Sequence, residues 1–260
     1  MPSGSITSNY YGQDILCFGD SNGVITASDT AGLATFYALD DTTNWLSTNI
    51  FTGLSSGTYT VYYKDNNNCV SSESINVSDP NDLAGSVSIN TSVDCYGAST
   101  GIIQFNVDPN LSGTPDSIGF PYQYTGPPGN SNSSERGGLS GNQWYVMTAT
   151  DANGCFVTDS VFLSEPDSIT FSANVTSTNI FNGFGVSCNG SSDGEITFSS
   201  VAGGTPNFEF SINNGFSYSS DTVFNNNNGY SISANTYSLI VRDANLCTTN
   251  VVSVLVDEPG

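Results

Sequence analysis

The chain has 260 residues, of which 24 are acidic and three basic, and with no histidine its net charge is −21. A surface of that sign repels nucleic acid and anionic lipid. With no histidine and a single lysine, general acid–base, Schiff-base and phosphate-binding chemistry lack their usual residues, so the chain reads as non-enzymatic.

A frame of fixed residues occurs three times: C-x-G-x-x-x-G, then Y-x5-D-x3-C, then an acidic residue and proline. The first copy is Cys17, Gly19, Gly23, Tyr59, Asp65, Cys69, Asp79 and Pro80. The second is Cys95, Gly97, Gly101, Tyr145, Asp151, Cys155, Glu165 and Pro166. The third is Cys188, Gly190, Gly194, Tyr237, Asp243, Cys247, Glu258 and Pro259. Dividing at the prolines predicts three repeats, 1–80, 81–166 and 167–260, each carrying a net charge of −7.

Short strands separated by turns are predicted in each repeat. After the C-x-G-x-x-x-G turn come Val24–Ala27, Ile102–Phe105 and Glu195–Phe198, then aromatic runs at Phe36–Leu39, Tyr122–Tyr124 and Phe208–Ile212. Alternation with β-branched and aromatic residues marks half-buried strands. The strongest are Tyr59–Tyr63, Tyr145–Ala149 and Tyr237–Val241, each entering a hairpin at Asp65, Asp151 or Asp243. Asn and Gly in those hairpins supply positive φ. Return strands follow at Ser74–Val77, Val161–Leu163 and Val254–Val256, and no window carries a helical apolar stripe. The expected fold is all-β: three tandem Ig-like antiparallel β-sandwich modules of about seven strands each. Short proline-containing joints such as Asp79-Pro80-Asn81-Asp82 predict an elongated rod.

Six cysteines allow fifteen pairings. Repetition chooses among them: the pairing that treats every repeat alike is Cys17–Cys69, Cys95–Cys155 and Cys188–Cys247, one disulfide within each module. The rival, a zinc site, lacks soft ligands when no histidine is present. Disulfides imply an oxidising, extracellular location. Met1-Pro2-Ser3-Gly4 has neither a basic start nor an apolar run, and no stretch approaches the ~18 apolar residues of a membrane span. Both ends fall at repeat boundaries, so the chain reads as three units of a longer array or as a processed mature piece.

The Cys-x-Gly start, the Asp-Ala-Asn-Gly-Cys turn at 151–155 and the closing Glu-Pro together resemble the SprB repeat, which occurs in tandem in very large surface adhesins of gliding Bacteroidota. The resemblance covers all three repeats; the turn departs at Asn66 and Asn68 in the first and at Leu246 in the third. It implies export through the type IX system, display at the cell surface, and an adhesive or filamentous structural role. The partners it implies are other copies of the chain, adjoining repeats of a longer chain, or surface glycans. A self-assembling extracellular fibre subunit and an array of carbohydrate-binding modules are the alternative readings. The family brings no catalytic residues and no cofactor.

Bacteroidota O-glycosylate exported proteins at Asp-Ser/Thr followed by a small, aliphatic or threonine residue. The candidates here are Thr30, Thr42, Ser117, Ser160, Ser168 and Thr222. They follow six of 18 aspartates, where chance gives about 1.5. Asp20, Asn22 and Asp193 offer hard oxygens for calcium within the C-x-G-x-x-x-G loops. The matching loop of the second repeat, Ala98-Ser99-Thr100, has no carboxylate, which favours a turn role for all three. The loops between the fixed points differ among repeats and carry Trp45, Phe216 and Tyr218, the candidates for stacking on a sugar or a neighbouring subunit.

Overall fold

The structure is a computed structural model that describes residues 2–29, 31–115, 121–127 and 133–260. The first repeat contributes β1 (Pro2–Ile6), β2 (Gly23–Asp29), β3 (Ala34–Leu39), β4 (Ile50–Leu54), β5 (Gly57–Asp65) and β6 (Val70–Val77). The second contributes β7 (Leu83–Thr91), β8 (Gly101–Ser112), β9 (Gln123–Thr125), β10 (Glu135–Leu139), β11 (Gln143–Thr150) and β12 (Phe156–Leu163). The third contributes β13 (Thr170–Val175), β14 (Ile196–Ala202), β15 (Glu209–Ser211), β16 (Val223–Phe224), β17 (Asn235–Arg242) and β18 (Val252–Val256). Among the described residues there is no α-helix, only two 3-10 turns at Thr176–Asn179 and Asn226–Asn228.

Among the described residues six strands fall in each repeat, against about seven expected, and they pair identically each time. The first, second and fourth strands form one three-stranded sheet, and the third, fifth and sixth form another: β1-β2-β4 with β3-β5-β6, β7-β8-β10 with β9-β11-β12, and β13-β14-β16 with β15-β17-β18. Neighbours such as β1 and β2, β5 and β6, and β17 and β18 run antiparallel.

Contacts divide the chain into two compact units, and the division passes through the second repeat. One unit holds Met1–Ser88, Ile103–Arg136 and Trp144–Val161; the other holds Ile89–Ile102, Gly137–Gln143 and Phe162–Gly260. The first has a core of Ile15, Ile25, Ala27, Phe51, Leu54, Val61, Tyr63, Ile75 and Val77, and it also buries Ile103, Phe105, Tyr145 and Met147. The core of the second is Val186, Ile196, Phe198, Phe210, Phe224, Ile232, Leu239, Val241 and Val256. Alternation places these side chains: Val61 and Tyr63 on β5, and Leu239 and Val241 on β17, point inward at every second residue.

The expected disulfides within repeats are not formed. The bonds are Cys17–Cys155 and Cys95–Cys247, and Cys69 and Cys188 are free. Strand length explains the correction. β6 starts immediately after Cys69 and runs for eight residues. Just beyond its end, Asp79 accepts a hydrogen bond from the Gly19 amide in the loop of Cys17. Cys69 and Cys17 thus lie about 27 Å apart at ~3.4 Å per residue, whereas a disulfide needs its Cα atoms within ~7 Å. The third repeat repeats the arrangement: β18 separates Cys247 from Glu258, whose carboxylate accepts from the Gly190 amide in the loop of Cys188.

The last glycine of each C-x-G-x-x-x-G loop is required by close approach. A Cβ on Gly194 would lie 2.9 Å from the Gly185 carbonyl oxygen and 3.0 Å from that of Ile232. Gly194→Ala should therefore destabilise the fold by ~1–3 kcal/mol in urea denaturation. Gly137→Ala, where the nearest atom is 3.7 Å away, should be close to neutral; equal effects would refute the steric account.

Candidate functional site

Each hairpin that follows the strong tyrosine strand is organised by its aspartate. Asp151 Oδ1 accepts from the amides of Asn153 (3.0 Å) and Cys155 (2.9 Å), and Asp243 Oδ1 from those of Asn245 and Cys247 (both 2.9 Å). The other oxygen of each carboxylate accepts from the Thr114 or Thr205 amide, at 2.9 Å in both. The third turn has the same geometry: Asp65 Oδ1 accepts from Asn67 and Cys69, both at 2.8 Å. The residue before cysteine has positive φ in each turn, as Asn68 (65°), Gly154 (88°) and Leu246 (66°). Leucine tolerating that position is the feature the composition of the turn does not announce.

The turns of the second and third repeats present an asparagine and a cysteine to the Cys-x-Gly loop of the preceding repeat. Asn153 Nδ2 donates to the Leu16 carbonyl at 3.1 Å beside the Cys17–Cys155 bond. Asn245 Nδ2 donates to the Asp94 carbonyl at 3.0 Å beside the Cys95–Cys247 bond. In both cases the acceptor is the residue before the receiving cysteine. The asparagine is steadied by a threonine hydroxyl, Thr114 at 3.3 Å or Thr205 at 3.1 Å. The two cross-links are thus one recurring device, an amide–carbonyl hydrogen bond beside a disulfide.

The receiving loop is equally regular. Gly19, Gly97 and Gly190 all have positive φ, and the amide after each donates to the cysteine carbonyl of the same loop at 3.0 Å. The glycine amides donate to Asp79, Glu165 and Glu258, which gives the acidic residue before each proline its role. The oxygens considered for calcium serve the same loops. Asn22 Oδ1, Thr100 Oγ1 and Asp193 Oδ1 accept from the amides of Leu16, Asp94 and Ser187, and Asp20 Oδ2 accepts from Asn22 Nδ2. The Ser187 hydroxyl and amide hold the Asp193 carboxyl below the usual aspartate range. Among the described residues no group of three or more carboxylate or cysteine side chains is placed to hold a metal.

The variable-loop aromatics are tied to the few cations. Lys64 Nζ lies 4.3 Å from the centre of the Trp45 ring, and Arg242 sits 3.9 Å over Tyr218 while pairing with Glu209 at 2.6 Å. Arg136 is buried and donates to the carbonyls of Tyr124, Ser133 and Glu135. Phe216 alone of the three loop aromatics stands clear, at 92% exposure. The tyrosine hydroxyls at the start of the strong strands serve the fold: Tyr59 and Tyr237 donate to the carbonyls four residues upstream, Ser55 and Ser233. Of the glycosylation candidates, Thr42, Ser160, Ser168 and Thr222 are exposed, while Thr30 and Ser117 lie outside the described residues.

Asn153 and Asn245 are absent from the frame read in the sequence, although Asp-x-Asn-x-Cys recurs in all three repeats and would have revealed them. Gly-Thr-Pro at 113–115 and 204–206 is the matching signal for the two threonines.

Strands, turns and cross-links together define an all-β, disulfide-linked repeat protein of Ig-like architecture. Residues 186–216, within the third copy of the frame, match the family model described as the SprB repeat. No curated protein sequence matches the chain. Similar solved structures include the I-band fragment I67–I69 of titin, with 12% identity, coverage of 94% of each chain and a TM-score of 0.28. Murine CEACAM1b matches with 11% identity over 57% of this chain and 94% of that one, TM-score 0.25. Domains 4–9 of the surface layer protein SbsC match with 12% identity over 99% of this chain and 47% of that one, TM-score 0.25. Likeness at this level says nothing of partners or activity. No helix of the described residues is long and apolar enough to cross a membrane.

Trypsin separates the two pairing schemes. Cleavage of the denatured, thiol-blocked but unreduced chain after Lys64, Arg136 and Arg242 should leave two linked pairs, 1–64 with 137–242 and 65–136 with 243–260. Bonds within repeats would instead tie all four peptides into one species, a result that mass spectrometry would show at once.

Proposed function

We propose that this chain is a load-bearing, non-enzymatic repeat segment of an extracellular adhesin or surface filament. The observation that carries the reading is the interleaving of the two disulfides, 17–155 and 95–247, which cross-link successive repeats. Each closes a loop of well over a hundred residues, worth about 5 kcal/mol on the chain-entropy account. The SprB-type match supports the surface setting, since the repeat is one of tandem surface proteins. With both bonds intact, the shortest covalent path runs from residue 1 to 17, across to 155, back to 95, across to 247 and on to 260. That path holds about 90 residues and extends to about 320 Å, against about 900 Å for the reduced chain at ~3.5 Å per residue. Pulled from its ends, the oxidised protein should reach roughly a third of the contour length it reaches in reductant. Equal lengths would remove the mechanical reading.

The chain's charge fits an exposed, soluble surface: Lys64 and Arg242 are engaged with aromatic rings and Arg136 is buried, so the acidic majority faces solvent largely uncompensated. We also propose that Thr42, Ser160, Ser168 and Thr222 carry O-glycans, because each follows an aspartate and is exposed. Bulky sugars there would shield strand edges from pairing with other chains. The exported protein should then have an intact mass above 27.2 kDa that returns to that value when the four are changed to alanine. An exported protein at the unmodified mass would exclude the glycans.

A further inference from the structure

Two half-built copies of the clasp are left over. The Asp65–Cys69 turn has the two Oδ1 hydrogen bonds of its clasped counterparts, yet Cys69 is free and exposed, and the Asn67 side chain has no partner among the described residues. The Cys188 loop matches the loop of Cys17: Gly190 has φ 77° where Gly19 has 78°. In both loops the amide before the cysteine, Leu16 or Ser187, donates to a short acceptor side chain, and the likeness extends upstream. In the first repeat a tight turn, Tyr10-Tyr11-Gly12-Gln13, closes through a Tyr10–Gln13 bridge, with φ 53° and 88° at its centre. The third repeat has Phe181-Asn182-Gly183-Phe184 at the same distance from its cysteine, with a Phe181–Phe184 bridge and φ 50° and 97°. In the formed clasp that turn lines one surface with Ala152 and Asn153. In the third repeat Phe184 of this turn and Ile180 just before it are exposed.

The receiving side has an opening of matching place. A cavity of about 270 Å³ beside Cys69 is lined by Asp29, Leu33, Ala34, Tyr63 and Asp65. The Tyr63 hydroxyl there is buried with no hydrogen-bond partner among the described residues. Buried polar groups rarely stay unpaired in a completed assembly.

We propose that Cys188 of one chain and Cys69 of a second copy form the same clasp, with Asn67 Nδ2 donating to the Ser187 carbonyl, so that copies join head to tail through covalent bonds. The two thiols lose two protons and two electrons to a small-molecule disulfide, which leaves as two thiols. An attacking Cys188 thiolate first forms a mixed disulfide with the oxidant, and Cys69 then displaces the small thiol. The proposal rests on the surface reading above only for its oxidising setting. Copies that cross-link but show no shortened contour, or the reverse, would tell the two failures apart.

The test uses the full chain in a glutathione redox couple, with equal parts isotopically light and heavy protein. Non-reducing gels should show a ladder in steps of 27.2 kDa, and peptide mapping should find light Cys69 joined to heavy Cys188. Cys69→Ser and Cys188→Ser proteins should each remain monomers with both existing disulfides intact, and their mixture should stop at dimers. Asn67→Ala should slow the cross-link on the order of fivefold, the value of about one net hydrogen bond, while Cys69 alkylation by iodoacetamide keeps its rate. Monomers only, Cys69–Cys188 bonds within one chain, or Cys188–Cys188 dimers from Cys69→Ser as readily as mixed dimers would each overturn the proposal. So would exported protein in which Cys69 is bonded to a cysteine other than Cys188, which would give the clasp to an adjoining repeat.

Discussion

A carboxylate withdrawn from water is costly unless donors replace the water it loses. Asp151 and Asp243 are both buried, and three backbone amides answer each of them. That satisfaction fixes a five-residue turn tightly enough to aim an asparagine amide and a cysteine sulfur at one target, the residue pair Leu16-Cys17 or Asp94-Cys95. The cross-repeat bonds depend on it, because a disulfide tolerates little error in Cα separation, and those here span 5.7 and 5.6 Å. Among the described residues Asp65 has two such donors, and it is half-buried.

The sequence displayed the scaffold because the scaffold is local. Period-2 alternation located β2, β5, β11 and β17, where side chains face the core at every second residue. The hairpins were legible from Asp and Asn, and the glycines from their fixed spacing. The disulfides were not. Pairing first with second cysteine inside each repeat is symmetric, but so is pairing each second cysteine with the first of the repeat before, and symmetry does not separate them. Strand length does. The return strand always lies between the Asp-x-Asn-x-Cys turn and the acidic residue that closes the Cys-x-Gly loop, so the two cysteines of one repeat are held a strand apart.

The oxygens of the calcium candidates serve the fold of their loops for a related reason. Oxygen-rich loops suggest a cation when read singly, yet the three repeats use an asparagine, a threonine and an aspartate for one task, accepting from the amide just before the cysteine. What the position requires is a short side chain with an acceptor, and charge is incidental. Repetition within one chain supplied the control that a single loop lacks.

Charge also determines what sort of joint is open to this protein. Two chains at −21 repel, and all three cations are already engaged inside their own repeats, so an ion pair is not available to hold copies together. Around each half-clasp the nearby carboxylates already have donors: Asp65 and Asp29 accept amides of their own turns, and Asp193 and Glu258 accept amides of the Cys188 loop. What remains for contact is an uncharged amide, an uncharged carbonyl and a pair of thiols. Charges elsewhere on the surface are screened within about 8 Å at physiological salt, whereas an amide–carbonyl bond backed by a covalent one does not weaken with charge of either sign. A joint of neutral groups is the solution consistent with so acidic a chain, and the two formed clasps show that the fold builds it.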